Sequence, residues 1–158
     1  MSDSDDIFME LALEAAAAAR AAGEVPVGAC VVDPEGNVLS VAGNLPITNN
    51  DPTAHAEILA IKAAGAHLGN YRLTGCSVYT TIEPCVMCAG ALVNARVNRL
   101  VYGAADERFG AARSVYRLCD DSSLNHRIDV VPGVLEEKCS KLMSEFFEKL
   151  RSGRQSGG

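Results

Sequence analysis

Two short segments carry the side chains able to do chemistry: Thr53-Ala54-His55-Ala56-Glu57 and Glu83-Pro84-Cys85-Val86-Met87-Cys88. Cys85 and Cys88 stand three residues apart, the spacing that puts two side chains on one face of a helix. Pro84 suits a helix start, and the positive end of a helix favours the thiolate form that binds metals. His55 lies in the first turn of a second expected helix. Two helix starts meeting end to end would bring one imidazole and two thiolates together. Three such ligands leave the fourth tetrahedral position of a zinc ion open to water, as in a hydrolytic site more than a structural one. Glu57 fits another role. It follows His55 by two residues, about 200° round an ideal helix, so it does not share the histidine's direction. At a helix end facing a cavity it could still reach a water molecule and move its proton. Taken singly these patterns decide little. A Cys-x-x-Cys could be a redox pair or two packed core cysteines, and His-x-Glu alone is nearly uninformative. The joint pattern, with 26 residues between Glu57 and Pro84, is far more specific.

The elements that must position these residues follow from composition and periodicity. Residues Ile7 to Ala22 are rich in Ala, Leu and Glu and read as a helix, with aspartates before it and Gly23 after it. Val27 to Val32 reads as a buried strand, Asp33 to Asn37 as a turn, and Val38 to Ala42 as the second arm of a hairpin. Residues 43–53 form a loop, and a helix follows from about Thr53 to Leu68. Ser77 to Ile82 is a strand, Pro84 opens a helix to about Asn94, and Arg99 to Gly103 is a strand, so 77–103 make a βαβ unit with parallel pairing. A short helix is expected around Ala111–Leu118, a weak fifth strand at Ile128–Val131, and an amphipathic helix from about Leu135 to Leu150. The expected fold is one α/β domain over residues 1–151 with a central mixed sheet of about five strands, followed by a disordered tail over 152–158.

Composition narrows the function. The chain has 158 residues, of which 48% are hydrophobic and 22% charged, which excludes a disordered chain. A net charge of −6 argues against a general nucleic-acid coat. The charge is uneven, however. Residues 1–60 hold one basic residue, Arg20, and ten acidic ones, whereas 61–158 hold thirteen basic and ten acidic. An anionic partner should therefore meet the second part, where Arg96, Arg99, Arg108, Arg113, Arg117 and Arg127 could contact phosphates. Any one of them could equally form an ordinary ion pair. The acidic N-terminus is no signal peptide, and Glu10, Glu14 and Arg20 interrupt the apolar stretch that follows, so no membrane span is expected. Six cysteines in a cytoplasmic chain point to metal or redox chemistry before disulfides. Cys30, Cys76, Cys119 and Cys139 lack ligand spacing and read as packing.

His-x-Glu followed by Pro-Cys-x-x-Cys is the known signature of zinc nucleobase deaminases. The flanking sequence resembles one family more closely. Glu24-Val25-Pro26-Val27-Gly28-Ala29, Asp51 to Ile58, Asn70-Tyr71-Arg72-Leu73, Glu83 to Ala91 and Asn125-His126-Arg127 are similar to the bacterial tRNA-specific adenosine deaminases, over roughly residues 7–150. The resemblance implies a three-layer cytidine deaminase-like fold and one zinc ion per subunit, bound by His55, Cys85 and Cys88. It makes Glu57 the proton donor. It puts Asn44, Ala56, Pro84 and Asp106 beside the substrate, with Asn44 on the target base or its sugar and Asp106 beside the nucleotide backbone. The implied reaction converts adenosine to inosine at the wobble position of an arginine tRNA, in the cytoplasm, by a homodimer that engages the anticodon loop. Leu45 replaces a usual basic residue, and Phe109 stands in a loop that is usually small or polar. Two other functions fit the same motif: a zinc deaminase of a free base or nucleoside such as cytosine, cytidine or guanine, and a non-catalytic zinc-binding partner subunit. Glu57 argues against the second.

Overall fold

The β-branched runs pair into one mixed five-stranded sheet in a computed structural model of the chain, which describes residues 3–157. The strands are β1 (Gly28–Val32), β2 (Val38–Gly43), β3 (Ser77–Ile82), β4 (Arg99–Ala104) and β5 (Asp129–Val131), in the order β2-β1-β3-β4-β5. β1 pairs antiparallel with both β2 and β3, whereas β3–β4 and β4–β5 are parallel. The expected hairpin and βαβ unit are both present. The helices are α1 (Asp3–Ala21), the single turn α2 (Pro46–Asn49), α3 (Ala56–Leu68), α4 (Val86–Asn94) and α5 (Glu136–Gly157).

Strand periodicity divides the core into two layers. Ala29, Val31, Val78, Leu100 and Tyr102 face one way, against Ala56, Ala60 and Ala64 of α3 and Ala89, Leu92 and Val93 of α4. Cys30, Val32, Tyr79 and Val101 face the other way, against Met9 and Ala12 of α1 and Cys139 of α5. The result is the α/β/α sandwich implied by the resemblance. Small residues set its thickness on the α1 side: a Cβ on Gly28 would overlap the backbone carbonyl of Ala12, and one on Gly43 would lie 2.6 Å from that of Ala15. The start of α1 is held by charge. The buried Asp5 carboxylate accepts the Tyr79 hydroxyl at 2.6 Å and both guanidinium nitrogens of Arg99 at 2.7 Å, joining α1 to β3 and β4.

Four expectations change. The first helix begins at Asp3, with Asp3, Asp5 and Asp6 inside its first turn, where negative charge is favoured. The 43–53 loop contains α2. No helix forms over 111–118, because the N–H groups of residues 112–114 donate to the Glu83 carboxylate instead of to helix carbonyls. The last helix runs to Gly157, so residues 152–157 of the expected disordered tail extend it, an added turn costing little once a helix exists. Gly158 lies outside the described residues. No helix among the described residues is long and apolar enough to cross a membrane.

The close approach of α1 to β1 gives a direct test. Gly28→Ala should destabilise the protein by about 2 kcal/mol, since the obstacle is backbone and cannot rotate away. Gly90→Ala, where a Cβ meets nothing within 4 Å, should be neutral or slightly stabilising. Urea unfolding midpoints of the two variants measure the contrast.

Candidate metal centre and active site

The N-termini of α3 and α4 meet, and each is capped by a residue singled out in the sequence. His55 is the N-cap of α3 (φ −71°, ψ 151°) and Cys85 the N-cap of α4 (φ −75°, ψ 179°), both in extended backbone. His55 is thus not in the first helical turn, and the 200° offset to Glu57 does not apply. Cys88 follows in the first turn of α4 and is fully buried, while His55 and Cys85 are half-buried. His55 Nδ1 lies 3.6 Å from Cys85 Sγ and 3.4 Å from Cys88 Sγ, and the three ligand atoms all fall within 4.8 Å of one another. Zinc–sulfur and zinc–nitrogen bonds of about 2.3 and 2.05 Å at a tetrahedral angle separate the donors by about 3.6 Å. One imidazole and two sulfurs at this spacing fit a zinc ion.

The three donors share protons among themselves. A hydrogen bond from Cys88, and then one from His55, hold the Cys85 thiol down at about 4. Cys88 moves the opposite way, raised first by its bond to Cys85 and then by burial. The hydrogen bond to Cys85 raises the His55 imidazole above its ordinary range. Glu57 sits in the first turn of α3 and is 4% exposed. Burial pushes its carboxyl above the usual carboxylate range. Among the described residues its Oε1 is the one buried side-chain oxygen or nitrogen without a hydrogen-bond partner. Such an orphan is costly unless something else occupies it.

The rims of the site are built from the other sequence candidates. Asn44, 8% exposed, accepts the N–H of Ala56 at 2.8 Å, satisfying one of the donors left over at the start of α3. Pro84 is buried, and its carbonyl accepts the N–H of Ala111 at 2.8 Å. Asp106 is half-buried and spends its Oδ1 on the N–H groups of Arg108 and Phe109, both at 3.1 Å. The geometry therefore brings His55, Ala56, Glu57, Cys85 and Cys88 together and sets Asn44 and Pro84 against them. Asp106 shapes the adjoining loop.

Comparison with known proteins agrees with this geometry. Residues 2–104 match the cytidine and deoxycytidylate deaminase zinc-binding region. The chain is 46% identical over 154 residues to the tRNA-specific adenosine deaminase of Haemophilus influenzae, covering 98% of this chain and 89% of that protein. The chain belongs to the tRNA-specific adenosine deaminase family. A solved structure from a study of A-to-I editing by tRNA A34 deaminases at the wobble position superposes with a TM-score of 0.83 at 43% identity, covering 86% of this chain and 98% of that one. The guanine deaminase of Nitrosomonas europaea superposes with a TM-score of 0.78 at 28% identity, over 89% and 83% of the two chains.

Two buried carboxylates in this deaminase were not marked as site residues by the sequence. Glu24, 1% exposed, accepts the N–H groups of Ile47 and Thr48 and the Thr48 hydroxyl, and so fixes α2 beside Asn44. Glu83, 3% exposed, holds the loop after β4 in the same way. Each stands next to a recognised motif, but nothing local distinguishes a clamp from a surface glutamate. The arginines also divide. Arg99 is committed to Asp5, Arg117 to Asp120 and Arg96 to Asn125. Arg108, Arg113 and Arg127 make no ion pair among the described residues. Phe146 and Phe147 of α5 pack edge to face, the first half-buried and the second exposed.

Asn44→Ala strands the buried Ala56 N–H and should cost about 1–2 kcal/mol. Asn44→Asp keeps the acceptor and should lose less. Chemical denaturation of the three proteins at equal zinc loading tests the difference.

Proposed function

We propose that this enzyme hydrolyses the C6 amino group of adenosine at the wobble position of a tRNA, giving inosine and ammonia, with an arginine tRNA as substrate. The observation that carries the reading is the pairing of three donors at zinc spacing with a buried carboxylate oxygen that has no partner. The family relationship selects adenosine in tRNA from among the bases that this architecture handles.

His55, Cys85 and Cys88 would hold one zinc ion per subunit. Bound there, zinc supplies Lewis acidity that lets water act as a nucleophile near neutral pH. Glu57 takes the proton from the attacking water, delivers it to ring N1, and then assists departure of the amino group as ammonia. Its burial suits that work, since a carboxylate with an unpartnered oxygen loses no protein contact when it picks up a proton. Asn44 Oδ1 is occupied by Ala56, which leaves the amide nitrogen as the donor to offer the base or its ribose. Ala56 and Pro84 supply backbone and surface against the base, and Asp106 and its loop flank the nucleotide backbone. The anticodon loop is already partly unstacked, which lowers the cost of extruding the target base.

We also infer that this chain, a single deaminase domain whose last helix continues past residue 151, forms a cytoplasmic homodimer. A tRNA substrate supports the compartment. An open groove of about 850 Å³ beside α3 and α4 supports the dimer, because Ile61, Ala66, Ala91 and the 77% exposed Tyr71 line it without a covering element. Sedimentation should find two chains per particle, and Ala91→Arg in this groove should shift the protein to monomer.

A guanine deaminase of similar fold favours the free-base alternative, and one assay separates the two. The protein is incubated with an arginine tRNA bearing adenosine at the wobble position and, in parallel, with guanine, cytosine and free nucleosides. Inosine should form only in the tRNA; turnover of a free base with none in tRNA overturns the reading. Glu57→Gln should retain zinc and lose at least about 10²-fold in kcat. Cys85→Ala, Cys88→Ala and His55→Ala should lose zinc, whereas Cys76→Ser should keep it, as metal analysis of the purified proteins would show.

A further inference from the structure

The segment after β4 has no regular structure from Ala105 to Ser114, yet one buried side chain organises it. The Glu83 carboxylate accepts the N–H groups of Asp106 and Ala112 at 3.1 Å, of Arg113 at 2.7 Å and of Ser114 at 2.9 Å, together with the Ser114 hydroxyl. Gly110 passes so close that a Cβ there would overlap the carboxylate. Two residues along the chain from Glu83, Cys85 caps α4, so the loop is fastened to the same turn that starts the metal helix. The outward side of the loop carries Arg108, whose guanidinium lies 5.4 Å from the centre of the Phe109 ring, and Phe109 is 60% exposed.

We propose that Glu83 is a positioning residue for the RNA substrate: it fixes the 106–114 loop in one shape, so that Arg108, Phe109 and Arg113 meet the nucleotides around the target base already ordered. The inference rests on the tRNA reading above. Exposed cations interleaved with an aromatic ring suit unstacked nucleotides, the ring accepting a base face and the guanidinium a phosphate. A loop that must order on binding weakens affinity, whereas a prefixed loop does not. The clamp needs a carboxylate. Five donors converge on it, and a carboxylate is acceptor-only, while an amide would turn its NH₂ toward other N–H groups. Contacts away from the reacting atoms act alike on bound substrate and transition state, so their loss appears in KM and leaves kcat nearly unchanged.

The test compares wild type, Glu83→Gln and Gly110→Ala as zinc-loaded proteins. Zinc content, amide hydrogen exchange over 106–114, and KM, kcat and Kd are measured for an anticodon stem-loop RNA with adenosine at the wobble position. Both variants should hold zinc as wild type does and exchange the amides of Ala112, Arg113 and Ser114 at least tenfold faster. KM for the RNA should rise about tenfold with kcat within threefold. Ser114→Ala, which removes one donor only, should shift KM the same way by a smaller factor and decides the matter if the other variants fail to fold. Faster exchange with unchanged KM and Kd overturns the proposal, as does a KM change that appears only with zinc loss. An RNA that wild type leaves unmodified sinks the substrate reading instead; exchange and Kd then still decide whether Glu83 fixes an RNA-binding loop, and unchanged values overturn it.

Discussion

The meeting of two helix N-termini is the constraint around which this protein is arranged. Each end carries partial positive charge and unsatisfied N–H groups, so bringing two together is unfavourable unless anionic groups lie between them. Cys85, as thiolate, lies there, and Asn44 takes up one of the leftover donors. A zinc ion held by His55, Cys85 and Cys88 would complete the arrangement by neutralising the thiolates it binds. The sheet makes the meeting possible. Parallel pairing of β3 with β4 requires α4 as a crossover starting just beyond the carboxyl end of β3, the position where open α/β sheets place their sites. The antiparallel β1–β2 hairpin returns the chain to the same end before α3 begins.

Irregular segments around the site are ordered by buried carboxylates. Glu24 satisfies the backbone of α2, and Glu83 that of the loop after β4. In both, convergent N–H groups find a charged acceptor in place of a helix or strand partner, so the loop keeps a fixed shape without regular hydrogen bonding. The same device explains why residues 111–118, helical by composition, are not a helix.

Charge and packing follow the same division of labour. The acidic first part of the chain uses Asp5 to hold Arg99, which removes that arginine from the set available to a polyanion. Of the arginines placed to meet phosphates, Arg108, Arg113 and Arg127 remain without an ion pair among the described residues. That distribution suits recognition of one RNA loop. Alanine and glycine on the α1 side let the helix lie directly on β1 and β2.

Much of this was legible in the sequence, because it is written in local patterns. The spacing of Cys85 and Cys88, the His55–Glu57 pair, and the strand, helix, strand alternation from 77 to 103 depend on residues near one another in the chain. Patterns of that kind determined the five strands, the main helices, the donor set and the family, but not α2 or the course of residues 111–118. Tertiary structure decided what depends on distant partners. It made His55 and Cys85 caps instead of first-turn residues, left one Glu57 oxygen without a partner, and paired Arg99 with Asp5 across 94 positions. It also made Glu24 and Glu83 clamps, because a carboxylate's role is set by which N–H groups converge on it, and those come from segments that only folding brings within reach.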